Sequence, residues 1–270
     1  MLSNSVNNEP TPIVSQISQS ATIRPARSLS DLISAFSVIY TKYEQEKYIS
    51  KKELPIHCNA YNLFPSTETG VIESDGRIVG TGSVVKFSDI GLPSYSIFKN
   101  EYDSFLARGR RIAEGTLFAH SSSGSNTAIL LACYGINFCL KSNITDFFVT
   151  INPAHLAFWK SYLGFRTVSE VKECSHVKSA PGILMHLPLE ENLPSRILNM
   201  LKTYAPYCKE SMETFKLKRV DVINLIRMKP EVWLHLESDK RACLNNTFPG
   251  IESDIEEALL LNSFNFGKAA

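Results

Sequence analysis

The 270-residue sequence has no CxxC pair, no apolar run long enough to cross a bilayer, and almost no charge imbalance. Each lack excludes something. Six cysteines stand apart as Cys58, Cys133, Cys139, Cys174, Cys208 and Cys243, without the paired spacings of a zinc site. They read as buried free thiols of a reducing compartment, so a cytoplasmic protein with no metal is expected. The longest apolar stretch, Thr127–Leu140, is broken by Tyr134, Gly135 and Asn137 and falls short of the roughly 20 residues a membrane span needs. A net charge of +1 argues against wholesale nucleic-acid binding while leaving room for a local basic patch. Residues 1–21, rich in Asn, Ser and Pro, have neither a basic start nor an apolar core. They read as a disordered leader rather than a signal peptide.

What is present looks like one α/β (α+β) domain over residues 22–190 with a helical extension over 191–270. Ser28 with Asp31 gives a capping pattern ahead of an amphipathic helix running to about Gln45. Thr67–Glu73 and Arg77–Phe87 read as strands joined by Ser74-Asp75-Gly76, a strong hairpin signal. A helix is expected over Ile97–Arg108, a buried strand over Arg111–His120, and a helix over Thr127–Lys141 with Ile129, Ala132, Cys133, Ile136, Cys139 and Leu140 on its apolar face. A strand at Asp146–Ile151 leads to Asn152-Pro153, sound helix-start chemistry for a helix to Leu163. Strands at Phe165–Val171 and Gly182–Leu189 complete a mixed, mostly antiparallel sheet flanked by helices. Beyond it, Leu193–Tyr204, Ser211–Met228, Pro230–Leu236 and Ser253–Ser263 read as helices. Their apolar faces include Val220, Ile223, Leu225 and Ile226, and Leu259–Leu261. From Glu190 onward 12 acidic residues stand against 11 basic ones, which disfavours a nucleic-acid or anionic-membrane arm, so docking on the first domain is expected.

Several short stretches occur in a telling order: Tyr40-Thr41-Lys42-Tyr43 with Tyr48-Ile49, Tyr61-Asn62-Leu63-Phe64-Pro65-Ser66-Thr67, Ile78-Val79-Gly80-Thr81, Gly91-Leu92-Pro93, Gly109-Arg110-Arg111-Ile112-Ala113-Glu114, Asn152-Pro153-Ala154-His155-Leu156-Ala157-Phe158-Trp159, and Leu163-Gly164-Phe165. In this order they resemble the long-chain N-acyl amino acid synthases of the GNAT superfamily, relatives of the acyl-homoserine lactone (autoinducer) synthases. The resemblance implies a GNAT-like sheet and an acyltransferase that moves a fatty acyl group from a phosphopantetheine thioester to an amino acid amine. It implies acyl carrier protein as usual donor, with acyl-CoA the alternative, a small-molecule amino acid as acceptor, and no permanently bound cofactor.

Thioester aminolysis needs a proton acceptor for the amine, hydrogen bonds for the oxyanion, and positioning. Glu114 lies in an apolar strand, where a carboxylate is costly unless paired or used; its bland alternative is an ion pair with Arg110 or Arg77. The resemblance places it at the family's acidic position. Gly115 marks a bulge or a close approach, and in GNAT enzymes a bulge here turns a backbone N–H of the Gly115–Phe118 stretch, Leu117 included, to the thioester carbonyl. The loop Ser121–Asn126 stands where acetyl-CoA-using relatives carry R/Q-x-x-G-x-G/A. Only Gly124 of that pattern remains, flanked by Ser123 and Ser125, and this departure favours a carrier-protein donor over CoA. Trp159 occupies a position where many GNATs have a Tyr acid, leaving Tyr162 to assist the thiol. Trp159, with Phe158 and Asn152, is expected to line the pantetheine or acyl path. His155 reads as a surface histidine or a dipole-tuned base. Lys99, Arg108, Arg110 and Arg111 form a basic cluster suited to a carrier protein or a substrate carboxylate, and equally to a solvated helix end. An autoinducer synthase and a non-catalytic acyl- or carrier-binding module are the rival readings.

Overall fold

The structure, a computed structural model, describes residues 21–121, 125–190, 193–209 and 215–266. Residues 1–20 of the expected leader and the loop residues Ser123 and Gly124 lie outside these.

Local chemistry sets the first elements. β1 (Thr22–Pro25) feeds α1 (Leu29–Gln45), whose start is fixed by Ser28 Oγ accepting the Asp31 N–H at 3.1 Å. The Asp31 carboxylate turns back to Arg24 of β1 at 2.6 Å. β2 (Thr67–Ser74) and β3 (Arg77–Lys86) are joined by Asp75 (φ 52°) and Gly76 (φ 71°), the two positive φ values that a two-residue hairpin turn demands. α2 (Lys99–Leu106), β4 (Ile112–His120), α3 (Ser125–Lys141), β5 (Asp146–Ile151), α4 (Leu156–Ser161), β6 (Arg166–Thr167), β7 (Lys172–Cys174) and β8 (Ala180–Pro188) follow. The sheet runs β1-β2-β3-β4-β5-β8-β6, with β7 also on β8. Every pairing is antiparallel except β4 with β5, which is parallel.

The strands alternate residues between two packed faces. On one, α3 and α4 bury Ala132, Ile136, Cys139, Trp159 and Leu163 against Phe147, Val149, Ile183 and Met185, and α5 (Ser195–Tyr204) adds Leu201 and Met200. On the other, α2 covers Val85, Ile112, Phe148 and Leu184 with Phe98 and Tyr102. Beside it α1 joins α6 (Arg219–Met228), α7 (Pro230–Leu234), α8 (Ser238–Thr247) and α9 (Ile251–Phe266). Phe36 and Ile39 there share one cluster with Val71, Leu117, Val222, Ile226, Trp233, Leu244 and Ile255.

Several expectations are corrected. The strand expected at Phe165–Val171 is two residues long, because Ser169 Oγ takes the Leu184 N–H at 2.9 Å and ends the ladder. Of the helix expected over Ser211–Met228, residues 211–214 lie outside the described residues, and the described helix begins at Arg219. Phe215 and Leu217 precede it outside any helix or strand and pack, half-buried, against the core. α8 was not foreseen, and α9 starts at Ile251, two residues before the expected Ser253. Leu140, Val220, Leu260 and Leu261 are exposed rather than on buried faces. α2 is shorter than Ile97–Arg108 at both ends, and the helix after Asn152 opens as a 3-10 turn before ending at Ser161. The six cysteines are free thiols, four of them buried.

Candidate active site

β4 and β5 run side by side only from Ile112/Asp146 to Gly115/Val149. Beyond that pair no further pairing joins them, which leaves a gap in the ladder between Thr116–Phe118 on one side and Thr150–Asn152 on the other. On its other edge β4 is irregular: Thr116 pairs with Ser83 but Ala119 with Thr81, so Leu117 and Phe118 together oppose Gly82. Leu117 has φ 53°, costly for a branched residue and the mark of a bulge that re-aims the chain. Gly115 precedes the bulge and has a packing reason of its own. A Cβ there would lie 3.0 Å from Phe147 Cζ and 3.1 Å from Val149 Cγ1.

Glu114 is 2% exposed at the base of this gap. It pairs with neither Arg110 nor Arg77. Its Oε2 accepts the Ser94 N–H at 3.0 Å, and Thr150 Oγ1 lies 3.3 Å from its Oε1. Thr150 Oγ1 is also 2.9 Å from Ser94 Oγ, which is 2.9 Å from the buried Tyr102 hydroxyl. Burial raises the Glu114 carboxyl above the ordinary carboxylate range, against the lowering effect of hydrogen bonds from Ser94, Tyr102 and Thr150. A carboxylate raised in this way is a stronger base than an exposed one. Thr150, the first β5 residue past the paired segment, links Glu114 to the gap. Ser94, Tyr102 and Thr150 escaped the sequence reading. The signals were a threonine in the apolar strand Asp146–Ile151 and a serine directly after Gly91-Leu92-Pro93.

The aromatic residues divide. Trp159 is buried among Phe118, Phe158 and Phe165, with ring centroids 5.1–6.1 Å apart. It therefore backs the Phe118 wall of the gap. Tyr162 is 48% exposed and lies against Phe158. Asn152 caps the turn after β5, its Oδ1 accepting the Ala154 N–H at 3.0 Å, and its Nδ2 reaches Tyr48 Oη at 3.3 Å. Ser125 opens α3.

The basic residues lie elsewhere: Arg108, Arg110 and Arg111 are at the turn between α2 and β4, whereas Lys99 opens α2 at the helix's other end and does not join them. Lys99 pairs with Asp103, and Arg108 lies over the Phe105 ring. Arg110 binds Asp146 and Glu190, and Arg111 donates to the Asn143 carbonyl. Asp146, 1% exposed, also meets His186 Nε2 at 2.7 Å. Among the described residues no group of His, Cys, Asp and Glu could hold a metal ion, and no helix is long and apolar enough to cross a membrane.

Residues 34–188, more than half of the chain, match the FeeM N-acyl amino acid synthase family. The chain belongs to that family. The structure of FeeM, an N-acyl amino acid synthase from uncultured soil microbes, is similar at a TM-score of 0.57 and 25% identity, over 63% of this chain and 92% of that one. BjaI, a CoA-dependent acyl-homoserine lactone synthase, aligns at a TM-score of 0.52 over 76% of this chain and 98% of that one. At 13% identity that is a likeness of fold alone. No curated protein matches the sequence. This FeeM-family chain is an N-acyltransferase on a GNAT-like fold.

Proposed function

We propose that the chain transfers a fatty acyl group from a phosphopantetheine thioester to the amine of an amino acid, with acyl carrier protein as the donor. The observation that carries this reading is the buried Glu114, joined through Thr150 to the gap where β4 and β5 part. The thioester lies in that gap between the Leu117–Phe118 bulge and Asn152. The amine attacks the carbonyl carbon and its proton passes by way of the Thr150 hydroxyl to Glu114. Backbone N–H groups of the bulge hold the oxyanion, and the C–S bond then breaks to release amide and thiol.

The choice of donor rests on the loop after β4. Ser121 stands where CoA-using relatives carry an Arg or Gln for the pyrophosphate, whereas a carrier-protein arm has one phosphate to hold. Arg108 and Arg111, at the turn between α2 and β4, offer exposed cations to an acidic carrier, while Lys99, at the other end of α2, pairs with Asp103. Arg110 is committed to Asp146 and Glu190.

The test is the full-length protein with an acyl carrier protein thioester, or with acyl-CoA of equal chain length, and a pool of amino acids, read by mass spectrometry. An N-acyl amino acid formed faster from the carrier protein is expected. Equal efficiency with acyl-CoA overturns the donor assignment, a lactone formed with S-adenosylmethionine overturns the acceptor, and no product from either donor overturns the reaction.

A further inference from the structure

The turn that ends α1 holds one side chain very firmly. Lys47 adopts φ 61°, the left-handed conformation of the residue just past a helix end, usually glycine. Its N–H donates to the Glu44 carbonyl at 3.0 Å, and the Tyr48 N–H donates to the Tyr43 carbonyl at 2.8 Å. These are the two bonds of a Schellman motif, and the apolar contact that accompanies it is here aromatic. Tyr48 meets Tyr43 edge-on, with centroids 5.6 Å apart and rings at 90°. A non-glycine residue at positive φ is a cost, and its result is to fix Tyr48 at the C-terminal end of β5, where Tyr48 and Asn152 meet.

The direction of that hydrogen bond can be worked out. Asn152 Oδ1 is occupied by the Ala154 N–H at 3.0 Å. The amide therefore presents its Nδ2 to Tyr48, and because Nδ2 only donates, the phenol oxygen is the acceptor. Among the described residues no group accepts the Tyr48 proton. Trp159, by contrast, is buried and offers only an indole N–H, which is not an acid at neutral pH, and Tyr162, 48% exposed, lies against Phe158.

From this geometry we infer that Tyr48 is the general acid for the departing thiol. The inference rests on the acyl-transfer reading above. As the tetrahedral intermediate collapses, the C–S electron pair goes to sulfur and the Tyr48 proton moves to it, giving the free thiol. The transient phenolate, held by Asn152 Nδ2–H, takes a proton back from water on its half-exposed side.

Leaving-group chemistry tests this. An alkyl thioester releases a basic thiolate that gains from protonation, whereas an aryl thioester releases a far more stable thiolate and gains little. In the full-length protein Tyr48→Phe keeps the ring against Tyr43 and removes only the hydroxyl. Its kcat on the alkyl thioester should fall about 10²-fold, the modest end of general-acid effects, while the aryl thioester stays within about twofold of wild type. Asn152→Asp keeps the acceptor for Ala154 but turns the Tyr48 partner into a competing acceptor, and should show the same selective loss. Equal losses on both thioesters, or none, overturn the inference while leaving the acyl-transfer reading intact. A wild-type protein inactive on every thioester defeats that reading instead.

Discussion

Glu114 Oε2 accepts the backbone N–H of Ser94 at 3.0 Å, inside a shell of hydroxyls from Ser94, Thr150 and Tyr102. The neutral amide of Glu114→Gln can accept the same N–H, so the fold should survive while turnover falls by about 10²–10⁴-fold, the usual worth of a general base. Because burial raises this carboxyl, the wild-type rate should drop on the acid side at a higher pH than an exposed Glu would give. Initial rates across pH check both points.

The same shift makes a stability statement of opposite sign. A group whose folded-state pKa is raised stabilises the fold below its unfolded value of about 4.3 and loses that contribution as pH rises through the folded pKa. Glu114→Gln should therefore match or exceed wild type in Tm at neutral pH, with the advantage shrinking towards pH 4. Thermal melts at the two pH values decide it. A lower Tm at neutral pH would instead give the carboxylate a net stabilising role.

Gly115 offers a separate test of the gap. A methyl group there meets Phe147 and Val149 at 3.0–3.1 Å, closer than side chains normally approach. Gly115→Ala should cost about 1–3 kcal/mol, the usual penalty of overpacking, and should push β5 away from β4 where the two strands part. Urea unfolding measures the first effect. A rise in KM for the thioester with kcat nearly unchanged would report the second.

How much of this was legible follows the range of the forces involved. The Ser28 cap, the Asp75-Gly76 turn and the Asn152 cap were readable because neighbouring residues complete them. α8 was not, since Ser238–Thr247 is mostly polar and buries only Leu244. Phe165–Val171 looked like a strand because nothing local announces that Ser169 will take the Leu184 N–H. At the site, Glu114 stood out as a charge among apolar neighbours. Ser94 is 20 residues and Thr150 36 residues from it in sequence, and Tyr48 and Asn152 are 104 apart. Such partners come together only in the folded sheet.

Asp146 ties the base of β5 to Arg110 and His186. Burial alone would raise its carboxyl. Hydrogen bonds from His186, Arg110 and Thr145 outweigh that and hold it at about 2. A depressed carboxyl contributes stability that is present above its unfolded pKa and lost as pH falls through the folded value. Asp146→Asn should cost about 3–5 kcal/mol at neutral pH, the penalty for stripping one partner from a buried ion pair. The gap from wild type should narrow below about pH 4. Chemical denaturation at pH 7 and at pH 3 would show it, and a pH-independent difference would reassign the loss to packing.

The last prediction concerns the C-terminal helices. Trp233 is 2% exposed, and with Val222, Ile226, Leu244 and Ile255 it shares one core with Phe36 and Ile39 of α1 and with Leu117 of the bulge. The bulge therefore rests on a core that the C-terminal helices complete. Arg241 adds a brace, its guanidinium lying over the Trp233 ring at 4.7 Å and donating to the Trp233 carbonyl. Trp233→Ala should cost about 3–5 kcal/mol, as deletion of a large buried aromatic does. Removing everything after Glu191 strips the outer cover from α1, so the remainder should be insoluble or expose enough apolar surface to bind a hydrophobic dye. A truncated chain that stays soluble, melts at the wild-type temperature and keeps its acyl-chain preference would make the helices an independent module and detach them from the bulge.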